Sequence, residues 1–539
     1  MLCAPMNPRL RQTATGVGFA LAVALAASLW AWRFHDRGIV MAEEGQILSE
    51  AEAILDGRVL YRDIDGFVAP GVWYLGALIL RVAGPDLNAT RIAMVVLFAF
   101  TALVVYGLCQ RVTSRRFALL AVALLCVQKA LAFPLGTFLF YTEFAIAFAL
   151  ASSFALLRAV QRGSALASAC AGLCIALCML FKQNIGGVLL LGCLVYLAAF
   201  ERRASVIAPL LAVSATAGLA TLAAFGAVGA LPALVHSLVL TPFTGFAPNY
   251  SIPYLRGVAL SGDFSQLFLY SPALYVEEFL LGPAAGSRKL VAVLVRGLSV
   301  GAYLTPLLLA LLSARNAIAG RPDARIRSLL WIPALATFAS AFPRSDFPHV
   351  AQALIGFLPI SLYELRSLAF LPLVRAAGGA VVAALVLLAL ALVARMPHDR
   401  RFEHPRARLW LTSGTLEVLS DGLRWIQDIP PQERLSVIPT DAMYYFLSGR
   451  QPPLRSSIVL PHQVAADGGR ALADSLDREG IDWVLYSEIR LPGFPKLEEF
   501  APALRHALDA KFEPVRMRGE RDGGPMLLRR RPTRSGDAG

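Results

Sequence analysis

The chain has 539 residues, of which 57% are hydrophobic and 16% charged, and it carries a formal net charge of +13. A mean hydropathy of +0.59 excludes an ordinary soluble domain. The basic excess does not indicate nucleic-acid binding either, because Lys and Arg fall in small clusters between apolar runs, which is how a polytopic membrane protein encodes its topology.

A run of about twenty apolar residues is long enough to cross a bilayer. The first, 13–33, is too long for a signal peptide and lacks a small-residue cleavage site, so it reads as a retained anchor. There follows "MAEEGQILSEAEAILDGRVLYRDIDGF", Met41 to Phe67, crowded with Glu43, Glu44, Glu50, Glu52, Asp56, Asp63 and Asp65. Its first half reads as an amphipathic helix with Glu50, Glu52 and Asp56 on the solvated face. Asp63 and Asp65 either cap the "RDIDG" turn or contact substrate. Pro70 to Gly84 is short and contains Arg81, so it reads as an interfacial or re-entrant helix that does not cross.

Further crossings are expected at 90–110, 116–132, 139–160, 164–181, 185–200, 205–230, 291–313, 327–342, 350–366 and 370–394, about eleven in all. This register gathers Arg111, Arg115, Arg116, Arg158, Arg162, Arg202, Arg203, Arg315, Arg325, Arg327 and Arg366 on one side, which the positive-inside rule makes cytoplasmic together with the N-terminus. The cysteines show no disulfide or zinc spacing. Cys170, Cys174 and Cys178 read as a small-residue packing stripe.

The segment 232–290, rich in Pro and aromatics, reads as an outer loop lying on the membrane surface. After Arg395, "RMPHDRRFEHPRARLW" reads as a polar linker. From about Leu416 an α/β pattern begins, with strands at Leu435–Ile438, Trp483–Tyr486 and Met526–Leu528. The domain plan is therefore a membrane domain over 1–395, including a first outer loop at 34–89, and a soluble outer domain over 396–539.

This topology collects Glu43, Glu44, the Lys182-Gln183-Asn184 turn, and Arg344, Asp346 and His349 on the outer face, with Lys129 and Glu143 close beneath. Charges at membrane depth cost roughly 2.5–3.5 kcal/mol each at a helix centre, so persistent ones usually face a working cavity. Plainer roles exist for several. Lys182 can snorkel to headgroups, Arg344 and Asp346 can pair with each other, and His349 can be a satisfied interfacial residue. A carboxylate can take a proton from an acceptor hydroxyl while Lys and Arg hold a phosphate leaving group. The alternatives are a transporter or flippase of lipid-linked glycans and a glycan polymerase or ligase. Transport needs ionisable groups along a through-path, and the central thirds of the spans are nearly free of them.

"AEEGQILSEAEAILDGRVLYRDIDGFVAPGVWYL" resembles the first exoplasmic loop of the GT-C glycosyltransferases, which include protein O-mannosyltransferases, the lipid A aminoarabinose transferase and family 39-like enzymes. The matching elements are Glu43-Glu44-Gly45, Tyr61-Arg62-Asp63, and Pro70-Gly71 with Trp73 and Tyr74. "PTDAMYYFLSGRQPP" is similar to a stretch common in their C-terminal domains. Glu43 stands where the class usually has Asp, and Ala69-Pro70 replaces its double Pro. The resemblance implies a GT-C fold of about eleven transmembrane helices with a small exoplasmic α/β domain. It also implies an inverting transfer, without cofactor, from a polyprenyl-phosphate-linked sugar to a cell-envelope lipid, glycan or protein, although some relatives need a divalent metal. Glu43 is then the base and Glu44 orients the acceptor or holds a cation. From their placement on the outer face, Lys182, Arg344 and His349 are expected to bind the donor phosphate, and Asp63, Asp65, Gln183, Asn184 and Asp346 to contact substrate. The expected location is the inner membrane, with the C-terminal domain periplasmic.

Overall fold

The computed structural model describes residues 8–258, 288–320, 323–368, 372–464, 467–487, 495–518 and 524–532. Helices form over every stretch expected to be a span: α1 (Pro8–Trp32), α4 (Leu87–Val112), α5 (Arg115–Leu131), α6 (Tyr141–Arg162), α7 (Ala165–Phe181), α8 (Gln183–Phe200), α9 (Ala204–Ala227), α10 (Arg288–Ile318), α11 (Ala324–Phe338), α12 (Phe347–Leu365) and α13 (Pro372–Ala394). Between α1 and α4 lie two shorter helices, α2 (Glu43–Leu55) and α3 (Gly71–Ala83). Among the described residues six helices are long and apolar enough to cross a membrane by themselves: α4, α6, α8, α9, and the apolar parts of α10 and α13. The described apolar part of α1, and α7, are shorter, and α3 is shorter still.

A small sheet-bearing unit follows α13. It opens with a hairpin of β1 (Arg400–His404) and β2 (Ala407–Leu411), then α14 (Ser413–Gln427), β3 (Leu435–Pro439), α15 (Met443–Ser448), α16 (Arg470–Arg478), β4 (Trp483–Ser487), α17 (Pro502–Lys511), β5 (Phe512–Met517) and β6 (Met526–Arg530). The larger sheet runs β3-β4-β6-β5, with β3 and β4 parallel and the other neighbours antiparallel. Both β3 and β4 are buried along their whole length, which explains why their apolar runs were legible, whereas β5 is exposed except at Phe512 and gives no alternation.

The stretch read as a polar linker is structured instead. Ala407, Leu409 and Leu411 alternate inward on β2 and join a core with Leu48, Ala51, Leu80 and Leu87. Its backbone clasps both ends of the first loop. The Trp410 N–H donates to the Asp36 carbonyl at 2.7 Å, and the Leu87 N–H donates to the Arg406 carbonyl at 2.9 Å. Because residues 36 and 87 meet the same hairpin, the chain between them leaves and returns at one end of the bundle. The loop expected at 232–290 is helical where described, with two π-helical turns (His236–Leu240 and Pro242–Phe246) bent by 40°. It too returns to its starting end. Val228 accepts from Arg62, and Tyr250 reaches His462 of the sheet unit. Residues 259–287 of that loop lie outside the described residues.

Of the carboxylates expected on the solvated face of α2, Glu50 and Glu52 are interface groups while Asp56 is exposed as expected. Glu50 is 1% exposed and accepts from Trp73 Nε1 at 2.7 Å, Ser457 Oγ at 2.7 Å and Gln46. Glu52 pairs with Arg406 at 2.7 Å, and Asp56 accepts from Gln451 at 2.7 Å. An amphipathic pattern marks a polar face but not what covers it, and here the sheet unit does. At the far end of the bundle arginines gather as expected. Arg366 donates to the Val112 carbonyl, Arg203 to that of Val160, and Arg111 shares the field of Arg158 and Arg162. Of the cysteine stripe only Cys178 is buried, donating to the Ala145 carbonyl of α6, while Cys170 is exposed.

Candidate active site

The site is built where α2, the α7–α8 break, the start of α6 and the start of α12 meet. Glu43 and Glu44 open α2, where the positive end of the helix dipole favours carboxylates. Successive helical residues point about 100° apart, so the pair divides. Glu44 turns into the bundle. Its two oxygens accept from Arg91 Nε and Nη2, both at 2.7 Å, and the Val40 N–H adds a third bond at 3.2 Å. Arg91, 1% exposed, also donates to the Gly38 carbonyl at 3.0 Å. Glu44 is thus engaged in fixing α2 and the preceding turn against α4.

Glu43 points the other way and forms no hydrogen bond among the described residues. Burial raises its pKa from 4.5 to about 7, while Arg344 and Lys182 draw it down and Asp346 pushes it up. Those causes place the three charged groups around one carboxylate. Gly45, the third motif residue, serves packing. A Cβ there would lie 2.0 Å from the Met443 backbone nitrogen, whose N–H donates to the Met41 carbonyl at 2.9 Å. The backbone of α15 therefore sits directly against the turn that carries Glu43.

Lys182 occupies an extended residue between α7 and α8, is buried, and donates to Thr142 Oγ1 at 3.0 Å. Its ammonium lies 5.3 Å from the centre of the Tyr141 ring, and Tyr141 shares the field of Glu43 and Arg344. The second motif glycine sets this corner. A Cβ on Gly71 would come within 2.6 Å of the Leu180 carbonyl, so α3 abuts the last turn of α7.

Asp346 caps α12, accepting from the His349 N–H at 3.2 Å. Its carboxylate also takes Arg344 Nε at 2.7 Å and His349 Nδ1. Asp346 is thus an organiser of Arg344 and His349. An apolar groove of about 380 Å³ opens beside it, lined by Leu124, Leu131, Thr305, Phe347, Pro348 and Leu358 of α5, α10 and α12. Beneath, Glu143 accepts from Gln352 at 3.2 Å, and Lys129 donates to the Gly136 carbonyl.

Other expected contacts lie elsewhere. Asp63 is held by Arg62 at 2.8 Å and caps the Val59 N–H, which lowers its pKa to about 2. Asp65 pairs with Arg455 of the sheet unit at 3.1 Å. Asn184 donates to the Ala339 carbonyl at 3.3 Å and accepts from the Ile185 N–H, tying α8 to the end of α11. Gln183 lies beside Lys182 with its Oε1 buried and unpartnered among the described residues. Sequence reasoning missed Arg91 and Tyr141. The signal for the first was an isolated arginine at the head of an apolar span, and for the second an aromatic heading the span that carries Glu143.

Among the described residues no group of three His, Cys, Asp or Glu side chains could hold a metal ion. Glu43, which forms no hydrogen bond among the described residues, faces two cationic side chains.

The same architecture is known in solved structures. ArnT from Cupriavidus metallidurans in the apo state is 14% identical with a TM-score of 0.55, over 96% of this chain and 98% of that one. The form bound to undecaprenyl phosphate is 15% identical with a TM-score of 0.50, over 95% and 98%. An oligosaccharyltransferase from Archaeoglobus fulgidus, tethered with an acceptor peptide containing the NVT sequon, is 13% identical with a TM-score of 0.51, over 92% and 72%. The chain has the fold of the GT-C superfamily. Within it, residues 68–228 match the family model described as dolichyl-phosphate-mannose-protein mannosyltransferase. That match includes Lys182 and Tyr141 and stops short of both Glu43 and Arg344. Among curated proteins no sequence match is found.

Proposed function

We propose that the protein is a membrane glycosyltransferase that moves one sugar from a polyprenyl-phosphate donor to a hydroxyl of a cell-envelope acceptor, on the face of the membrane where the sheet unit lies. The observation that carries this reading is the uncommitted carboxylate of Glu43, set among Lys182, Arg344 and Tyr141 beside an apolar groove. Glu43 takes the proton of the acceptor hydroxyl as its oxygen bonds to the anomeric carbon. The bond from that carbon to the phosphate oxygen breaks, and the charge left on the polyprenyl phosphate is received by Lys182 and Arg344. A single displacement of this kind inverts the anomeric centre. The groove walled by Leu124, Leu131 and Leu358 suits the isoprenoid tail, and undecaprenyl phosphate is the lipid seen with ArnT.

By the positive-inside rule the arginine-rich far end is cytoplasmic, the sheet unit is exoplasmic, and the eleven helices at the expected stretches are the spans. A transport reading has less support, because charged groups at the far end pair off locally, as Glu201 does with Arg203 and Glu364 with Arg327.

The test uses full-length protein in lipid nanodiscs and a strain lacking the gene. Glu43→Gln is expected to bind undecaprenyl phosphate like the wild type yet fail to restore the glycan missing from the cell surface, read by mass spectrometry. Full restoration by this variant would overturn the assignment of the base. A strain whose surface glycans are unchanged by loss of the gene would count against the reading as a whole.

A further inference from the structure

The surroundings of Arg344 extend well beyond its ion pair with Asp346. The Tyr250 ring centre lies 6.0 Å from the guanidinium carbon. The Tyr250 hydroxyl stands 3.3 Å from Nδ1 of His462, which belongs to the sheet unit 212 residues further along the chain. His462 in turn contacts Phe67 of the first loop and Phe246 of the bent helix, with ring centres 4.9 and 5.9 Å away. The backbone beside Tyr250 is stitched to that beside Arg344. The Ile252 N–H donates to the Pro343 carbonyl and the Ser345 N–H donates to the Ile252 carbonyl, both at 3.1 Å. On the other side the Tyr303 hydroxyl donates to the Ser345 carbonyl at 2.6 Å.

Arg344 is therefore fixed by a carboxylate, by an aromatic face and by a short backbone pairing. Among the described residues the aromatic face is the contact that leads on to the sheet unit. Burial pushes the pKa of His462 down to about 4, so the imidazole is neutral at physiological pH and one ring nitrogen is free to accept from a hydroxyl.

We propose that His462 is a positioning residue: acting through Tyr250 it sets the orientation of Arg344, so that docking of the sheet unit and binding of a phosphate anion at Arg344 are coupled. Nothing in the chemistry requires His462 to touch substrate. The coupling is reciprocal, since whatever tightens the Tyr250–His462 contact favours the anion and the anion favours the contact. The binding half of this proposal rests on the reading of Arg344 as a phosphate ligand, whereas the link from His462 to the Arg344 backbone does not.

Two measurements on full-length protein in nanodiscs decide it. Tyr250→Phe keeps the ring under the guanidinium and removes the hydroxyl, and His462→Phe keeps a packed ring and removes the acceptor nitrogen. Each is expected to weaken undecaprenyl phosphate binding about fivefold, at the lower end of typical coupling, with the double variant no weaker than either single one. Without ligand, amide hydrogen exchange at Ile252 and Ser345 should quicken in both variants while that of α4 is unchanged. Wild-type exchange at Ser345 in both variants, or losses of affinity that simply multiply in the double variant, would overturn the link. Wild-type affinity in Arg344→Ala is a different outcome: it would sink the phosphate reading and the coupling with it, leaving exchange to judge the positioning role alone.

Discussion

The two ends of α12 carry opposite solutions to the same electrostatic problem. At its C-terminal end Glu364 is 1% exposed and accepts from Ser313 at 2.9 Å, Asn316 at 2.7 Å and Arg327 at 2.6 Å. At its N-terminal end Glu43 approaches from α2, surrounded by Arg344, Lys182 and Asp346 but bonded to none of them among the described residues. A satisfied carboxylate holds helices together, whereas an unsatisfied one in a cationic setting is free to accept a proton in reaction. Glu44 shows the same contrast within a single turn, since its carboxylate is fully engaged by Arg91.

Substitutions sharpen that contrast. Glu43→Gln should lower turnover by about 10²–10⁴, the usual contribution of a positioned general base, with no loss of melting temperature. Lys182→Ala or Arg344→Ala should cost about 10²–10³ in turnover, the scale of removing one charge-stabilising group, together with weaker undecaprenyl phosphate binding. Glu364→Gln should do the reverse, destabilising the fold by about 1–3 kcal/mol because the half-buried Arg327 loses its counter-charge and the buried Ser313 and Asn316 lose a carboxylate acceptor, as read by thermal unfolding in detergent. Catalysis that survives Glu43→Gln, or a fold indifferent to Glu364→Gln, would break the comparison.

Acidity gives a further test. With Glu43 raised from 4.5 to about 7, turnover should rise with pH through about 7 as the base ionises. Stability moves the opposite way. The folded state holds this proton more tightly than the unfolded chain, so the contribution of Glu43 is fully present below about 4.5 and is lost as pH rises through 7. The melting temperature of the wild type relative to Glu43→Gln should therefore fall over that window.

Gly45→Ala should cost about 1–3 kcal/mol by overpacking and lower turnover as well, because Met443 must move from the turn that carries Glu43. The smallest effect is expected at Asp63. Its ion pair with Arg62 lies at the surface, where such pairs contribute little, so Asp63→Asn should leave turnover unchanged.

Much of the plan was legible because hydropathy and charge sidedness are strong signals. The helices, the three buried or half-buried strands and the meeting of Glu43, Lys182, Arg344 and Asp346 followed from counting apolar runs and placing short turns. What stayed hidden was which partner a polar group would find. Glu50 and Glu52 looked solvated because Ser457 and Arg406 lie hundreds of positions away. Residues 400–411 looked like a linker because their inward-facing side chains are few and interleaved with arginines. Tyr250 and His462 carried no local signal, since their relevance arises only when loop and sheet unit meet at Arg344.

The docking of α15 on Gly45 bears on when the first loop is finally packed. Glu50 and its partner Ser457 are separated by 407 residues. At a synthesis rate of about 5–20 residues per second, roughly twenty to eighty seconds pass between the making of the two. Throughout that interval the first loop has no lid to brace it. The packing of the first loop is consequently completed only when nearly all of the chain has been translated.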